Sequence, residues 1–226
     1  MVPLLLWWTT FDQRRANATS LLAITPASLI GAISFSIGGV FEWFPALFVA
    51  LGSVAGAQLG ARILTRIPLA PLKWAFISFI VFSSIGLFLE VPNRDGSLEV
   101  TATTAVILLG LGLLMGVGAG LLGIGGGLIA TPAIMLFLGG SDLAAKSISL
   151  LAMAPGALSG SILHVRHKTA LLRDGAWVAT GAVVAAPLGA YFAFALSPRV
   201  AAILFGLLTA FVAISLTIRA IREGRN

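Results

Sequence analysis

The chain has 226 residues, 58% of them hydrophobic and 10% charged, with 26 glycines and no cysteine, and a mean hydropathy of +1.05. Soluble domains of this size carry about a quarter charged residues, so the composition excludes a soluble enzyme or nucleic-acid-binding domain and indicates a polytopic membrane protein; the lack of cysteine excludes disulfides, thiolate metal sites and a cysteine nucleophile. The net charge of +6 is read as topology, Lys and Arg being retained in cytoplasmic loops.

In chain order, the N-terminus shows no secretory signal pattern, because the apolar run from Pro3 to Trp8 is too short and no small-residue cleavage site follows it. Spans of about 20 residues, enough to cross the hydrocarbon core as helices, are predicted at 16–38, 44–64, 72–89, 103–124, 145–165, 176–196 and 200–218. Two pieces, 3–11 and 127–139, are too short to span ordinarily, and both begin near a proline, Pro3 and Pro132. The expected fold is therefore an all-α transmembrane helical bundle with short broken or half helices, in the cell inner membrane.

Basic residues mark the cytoplasmic side: Arg14 and Arg15; Arg62, Arg66 and Lys73; Arg166, Lys168 and Arg173; Arg219, Arg222 and Arg225. These marks require spans 103–124 and 145–165 both to start outside, so 127–139 must return the chain across most of the membrane. Entered through Gly125, Gly126 and Gly127, it reads as a half helix with irregular backbone, tolerated only inside protein or beside a water-filled cavity.

The sequence matches itself without a gap at a spacing of 129 residues: Ser20-Leu21-Leu22-Ala23 falls on Ser149-Leu150-Leu151-Ala152, Pro26 on Pro155, Gly31 on Gly160, and Leu59-Gly60-Ala61 on Leu188-Gly189-Ala190. Combined with the charge map, the two copies have opposite topology. Inverted repeats with short Gly/Pro-interrupted segments at corresponding positions are the signature of secondary transporters that bind substrate near the bilayer midplane. The expected organisation is a first repeat at 1–90, an exterior linker at 91–102 and a complete second repeat at 103–226. Met1 corresponds to Ala130, so the first copy has no counterpart of the glycine-rich helix; an internal start and a degenerate member lacking half of one site both fit.

The most informative string runs from Gly116 through Gly118, Gly120 and Gly123 to Gly125-Gly126-Gly127, followed by Thr131-Pro132. Glycines at 116, 120 and 123 let another helix approach closely. Gly125 to Gly127 can expose N–H groups at the head of the half helix, where the helix dipole favours an anion. This string, with a downstream Ser-Leu-Leu-Ala helix and a duplicated layout, resembles the sulfite exporter TauE/SafE family of bacterial transporters over nearly the whole chain. The resemblance implies a transporter and small sulfur-containing anions such as sulfite, sulfoacetate and organosulfonates.

Further candidates for binding the anion are Thr19 and Ser20, which match the family's Thr-Ser-Leu element with Leu21, and Ser149 in the second copy, where Ile148 replaces the threonine. Their hydroxyls can donate to sulfonate oxygens or cap their own helices. Lys146 offers a counter-charge or snorkels to the headgroups. Gln58, several residues inside a span, faces a cavity or makes an interhelical hydrogen bond, while Arg62 serves topology. Gly125, Gly126, Gly127, Thr131 and Pro132 complete the expected substrate site.

His164 and His167 belong to a positive-inside cluster, and Glu90, Asp95, Glu99 and Asp142 map to exterior loops. The spans hold no dyad, carboxylate pair or metal cluster, so no catalytic residue, metal or cofactor is expected. The function expected is transport of a small anion by alternating access, a non-transporting truncated subunit or pseudo-transporter being the alternative. The expected partners are the anion and the bilayer, with no nucleic acid; glycine-rich faces also suit a homodimer.

Overall fold

The computed structural model describes Leu5, Phe11 and residues 13–63, 69–89, 98–122, 125–166 and 172–223. Within them lie eight helices and no strand: α1 (Gln13–Ile37), α2 (Trp43–Ile63), α3 (Leu69–Leu89), α4 (Ala102–Leu122), α5 (Gly127–Leu138), α6 (Asp142–Arg166), α7 (Leu172–Ala195) and α8 (Pro198–Glu223). The helix ends follow from local chemistry. The Thr101 and Ser141 hydroxyls accept from the N–H groups of Thr104 and Ala144 at 3.2 and 3.1 Å, starting α4 and α6. Proline in the first position of α8 follows Ser197. Helix α1 stops at Gly39, φ +85°, where the Val40 N–H reaches back to the Phe35 carbonyl at 3.0 Å.

Six of these helices, α1, α2, α4, α6, α7 and α8, are long and apolar enough to cross a membrane. The apolar run of α3 is shorter, Trp74–Leu89, so the third predicted span is the weakest of the seven. Helix α5, Gly127–Leu138, has the length of a half helix, as expected from 127–139. The short piece 3–11 lies outside the described residues apart from Leu5 and Phe11.

The 129-residue register reappears in the helix boundaries. Helices α1 and α6 correspond at both ends, and α2 with α7 and α3 with α8 begin at matching positions. Pro26 and Pro155 lie inside α1 and α6. Contacts between α1 and α6 are reciprocal: a Cβ on Gly31 would meet the Leu150 side chain, and one on Gly160 would meet Leu21, the residue equivalent to Leu150. Gly31 with Leu150, Leu21 with Gly160, and the Ser147 hydroxyl donating to the Val40 carbonyl at 3.1 Å make these two equivalent helices antiparallel.

Helix α6 lies at the centre, packed on α1, α2, α4, α5 and α7, while α8 lies against α3. The tightest pairing is α2 on α4. A Cβ on Gly52 or Gly56 would strike the Leu109 or Leu113 carbonyl, and one on Gly112 or Gly116 would strike the Val49 or Ser53 carbonyl. The two backbones therefore touch along about three turns, the packing that small residues permit in lipid. The main apolar core, including Val49, Phe76, Leu108, Met115, Ile134 and Ile148, joins α2 to α6. Many large apolar side chains point outward, Leu51, Phe82, Val106, Trp177 and Phe211 among them, as lipid-facing surfaces do.

Candidate substrate site

The glycine turn that precedes α5 is buried and tightly fitted. Gly125 has φ +65°, a left-handed conformation that glycine adopts without penalty. A Cβ there would meet the Ile24 side chain at 2.7 Å, and one on Gly126 would overlap the Met115 side chain. On the far side, Gly127 faces the Met153 sulfur, 3.0 Å from where its Cβ would be. The turn is thus clamped between α1, α4 and α6. Its carbonyls accept locally: Gly127 N–H bonds to the Gly125 carbonyl, and the Ile129 and Ala130 N–H groups bond to that of Gly126, both at 3.0 Å.

Against Gly125 lies a small space of about 10 Å³, lined by Ser53 of α2, Met115, Gly116 and Ala119 of α4, and Met153, Gly156 and Ala157 of α6. That is room for about one water at most. Ser53 is buried here, and its hydroxyl is shared between the Ala50 and Ala152 carbonyls, each at 2.9 Å, tying α2 to α6. A Cβ on Gly156 would meet the Ser53 hydroxyl at 2.8 Å.

Helix α5 is fixed to α6 by a second polar link. The Thr131 hydroxyl donates to that of Ser149 at 2.9 Å, and Ser149 donates to the Ala145 carbonyl at 2.7 Å. Both residues are buried, as is Pro132 beside them. Proline has no N–H to give to the Leu128 carbonyl four residues earlier, so α5 is interrupted in its own ladder where it meets α6.

The structure brings Gly125, Gly126, Gly127, Thr131, Pro132 and Ser149 together around the head and middle of α5. Thr19 and Ser20 are fully buried on α1, and the Thr19 Oγ1 has no hydrogen-bond partner among the described residues. Lys146 is held elsewhere: its ammonium pairs with the Asp142 carboxylate at 3.1 Å, one turn apart on α6. Asp142, expected in an exterior loop, is instead fully buried in the first turn of α6, because the Gly139-Gly140 turn and the Ser141 cap fold the helix start inward. Gln58 is exposed on α2, away from the void, and the Arg62 side chain lies outside the described residues, as do the His164 side chain and His167.

Ser53, Met115, Met153 and Gly156 were not singled out from the sequence. Ser53 carried a usable signal, being the polar residue beside Gly52 and Gly56 on the small-residue face of α2; the methionines carried none. Among the described residues no group of three or more His, Cys, Asp or Glu stands close enough to hold a metal ion.

The model of the family described as sulfite exporter TauE/SafE matches residues 1–87 and 108–226. Among curated proteins, the one named probable membrane transporter protein YunE, from Bacillus subtilis (strain 168), is 28% identical over 122 residues, 51% of this chain and 45% of that protein. The match thus spans less than half the relative's length. No solved structure matches. With the family match covering most of the chain and six helices long and apolar enough to cross a membrane, this multi-pass membrane protein belongs to the sulfite exporter TauE/SafE family.

Proposed function

We propose that the protein is a secondary transporter of a small anion, sulfite or an organosulfonate, working by alternating access between two repeats of opposite orientation. The observation that carries this reading is the buried glycine turn at the head of half helix α5, set against a void lined by small residues from three helices. Family membership supports the transporter class, and the antiparallel crossing of the equivalent helices α1 and α6 supports an inverted pair.

The chemistry suits an anion with several oxygens. Backbone N–H groups at the start of α5 and the positive end of its dipole supply partial positive charge without a cation in the membrane. The Thr131 and Ser149 hydroxyls line the same helix junction, and Thr19 and Ser20 contribute from α1. Lys146 is already neutralised by Asp142, so neutral donors hold the substrate. In this structure the N–H groups of Gly127 and Ile129 bond to carbonyls of their own turn. Entry of the anion exchanges those local bonds for bonds to sulfonate oxygens as α5 and α6 move apart.

The test is flux of radiolabelled sulfite and a simple alkanesulfonate in cells expressing the chain, beside Gly126→Leu. A leucine there collides with Met115, so the expected result is flux for the parent and none for the variant at equal membrane insertion. Full flux in the variant removes the glycine turn as the site, and absence of flux for both anions in the parent removes this substrate class.

A further inference from the structure

The duplicated register allows each surface of one repeat to be compared with its equivalent in the other. Helix α2 presents Gly52, Gly56 and Gly60 to α4, and its membrane-crossing stretch is 44% buried. Its equivalent is α7, where the 129-residue spacing places Gly181, Ala185 and Gly189 at the same three positions. All three are exposed. A Cβ on Gly181 or Gly189 would meet nothing within 4 Å, whereas each glycine at the α2 positions meets α4 backbone. The membrane-crossing stretch of α7 is only 6% buried. Its opposite side is used as in α2: α7 packs on α1 just as α2 packs on α6, with Leu22 against Gly175 and Arg15 paired to Asp174 at 2.6 Å.

We propose that the open face of α7 centred on Gly181, Ala185 and Gly189 seats one further transmembrane helix with small residues at four-residue spacing, lying parallel to α7 as α4 lies parallel to α2. A row of small residues alone does not identify an occupant. The second observation does: the equivalent row in the other repeat is filled, and its filler is a glycine-faced helix with Gly112 and Gly116 in backbone contact. Contacts of Gly52 with Leu109, Gly56 with Leu113 and Gly60 with Val117 fix the parallel direction and the register. Close backbone approach of this kind asks for a partner helix with small residues on the facing side. This inference does not depend on what the protein transports.

The absence of cysteine makes introduced thiols unique. In α2 and α4, Gly60 and Val117 approach with 3.2 Å between a Cβ on the first and the Cα of the second, so Gly60→Cys with Val117→Cys in one chain reports a correctly packed fold by disulfide formation under an added oxidant. The test pair is Gly189→Cys in the full chain, co-expressed with a tagged segment of residues 98–129 carrying Val117→Cys as the probe helix. The expected result is a full-chain–segment adduct, reduced several-fold when the segment also carries Gly112→Leu and Gly116→Leu. Ala185→Cys paired with Leu113→Cys in the segment gives a second reading one turn away. Three outcomes overturn the proposal: the fold-reporting pair closes while neither segment adduct forms; the leucine-bearing segment cross-links equally well; or Gly189→Cys chains join to one another in preference to the segment, which assigns the face to a second copy.

Discussion

Adding a single methyl group to the α2–α4 contact tests whether backbone contact holds this protein together. In Gly116→Ala the new Cβ would overlap the Ser53 carbonyl oxygen and lie 2.7 Å from the Ala57 nitrogen and 2.8 Å from the Ser53 carbonyl carbon. Ordinary contact needs about 3.4 Å or more, and the obstacles are backbone atoms that no rotamer change can move, so the helices must separate by roughly 1 Å or more. A gap of that order forfeits about a quarter to a half of each dispersion contact along the seam, and overpacking of this kind costs about 1–3 kcal/mol. Alanine recovers about 1 kcal/mol through its better helix propensity, leaving a net loss of up to about 2 kcal/mol. The control is Gly110→Ala on the same helix, where a Cβ meets nothing within 4 Å; it gains the propensity term alone. Reversible unfolding in mixed micelles, followed by tryptophan fluorescence, should show Gly116→Ala destabilised and Gly110→Ala unchanged or more stable. Equal effects in the two variants would refute the reasoning, because helix propensity would then outweigh the contact.

Ser53→Ala removes the hydroxyl shared between the Ala50 and Ala152 carbonyls and should lower stability by about 0.5–1.5 kcal/mol in the same unfolding assay. Lys146→Met removes the ammonium that pairs with the buried Asp142 carboxylate and should cost roughly 3 kcal/mol, while adding Asp142→Asn to it should restore part of that loss; a double-mutant cycle measures both. Thr131→Val breaks the link from α5 to Ser149 and should increase amide hydrogen exchange at the head of α5 more than in α8, as read by mass spectrometry.

The helices themselves were legible because a membrane requires long unbroken apolar runs, and the predicted spans agree with the observed helices to within a few residues at most ends. Identical residues 129 positions apart, at 26 and 155 or 31 and 160, occupy matching places in α1 and α6. Direction around each helix axis was much less so. In a soluble protein polar residues mark the outer face, but in lipid both faces are apolar, and hydropathy carries no azimuth. Gln58 illustrates the loss: its polarity indicated an inward face, yet it is exposed on α2 while Ser53, five residues earlier, faces α6. Asp142 was misplaced for a related reason, since a charge at the edge of an apolar run reads as a loop unless its partner one turn on is recognised. Where small residues repeated every four positions, as at Gly116 and Gly120, the facing surface could be read from the sequence, and both glycines lie against α2.

The void beside Gly125 has an electrical consequence. Protons cross proteins along files of hydrogen-bonded waters, and a space of about 10 Å³ between α2, α4 and α6 admits no file, only about one molecule. With Met115 and Met153 on its walls and the Ser53 hydroxyl turned to carbonyls, this space offers a proton no continuous hydrogen-bonded path.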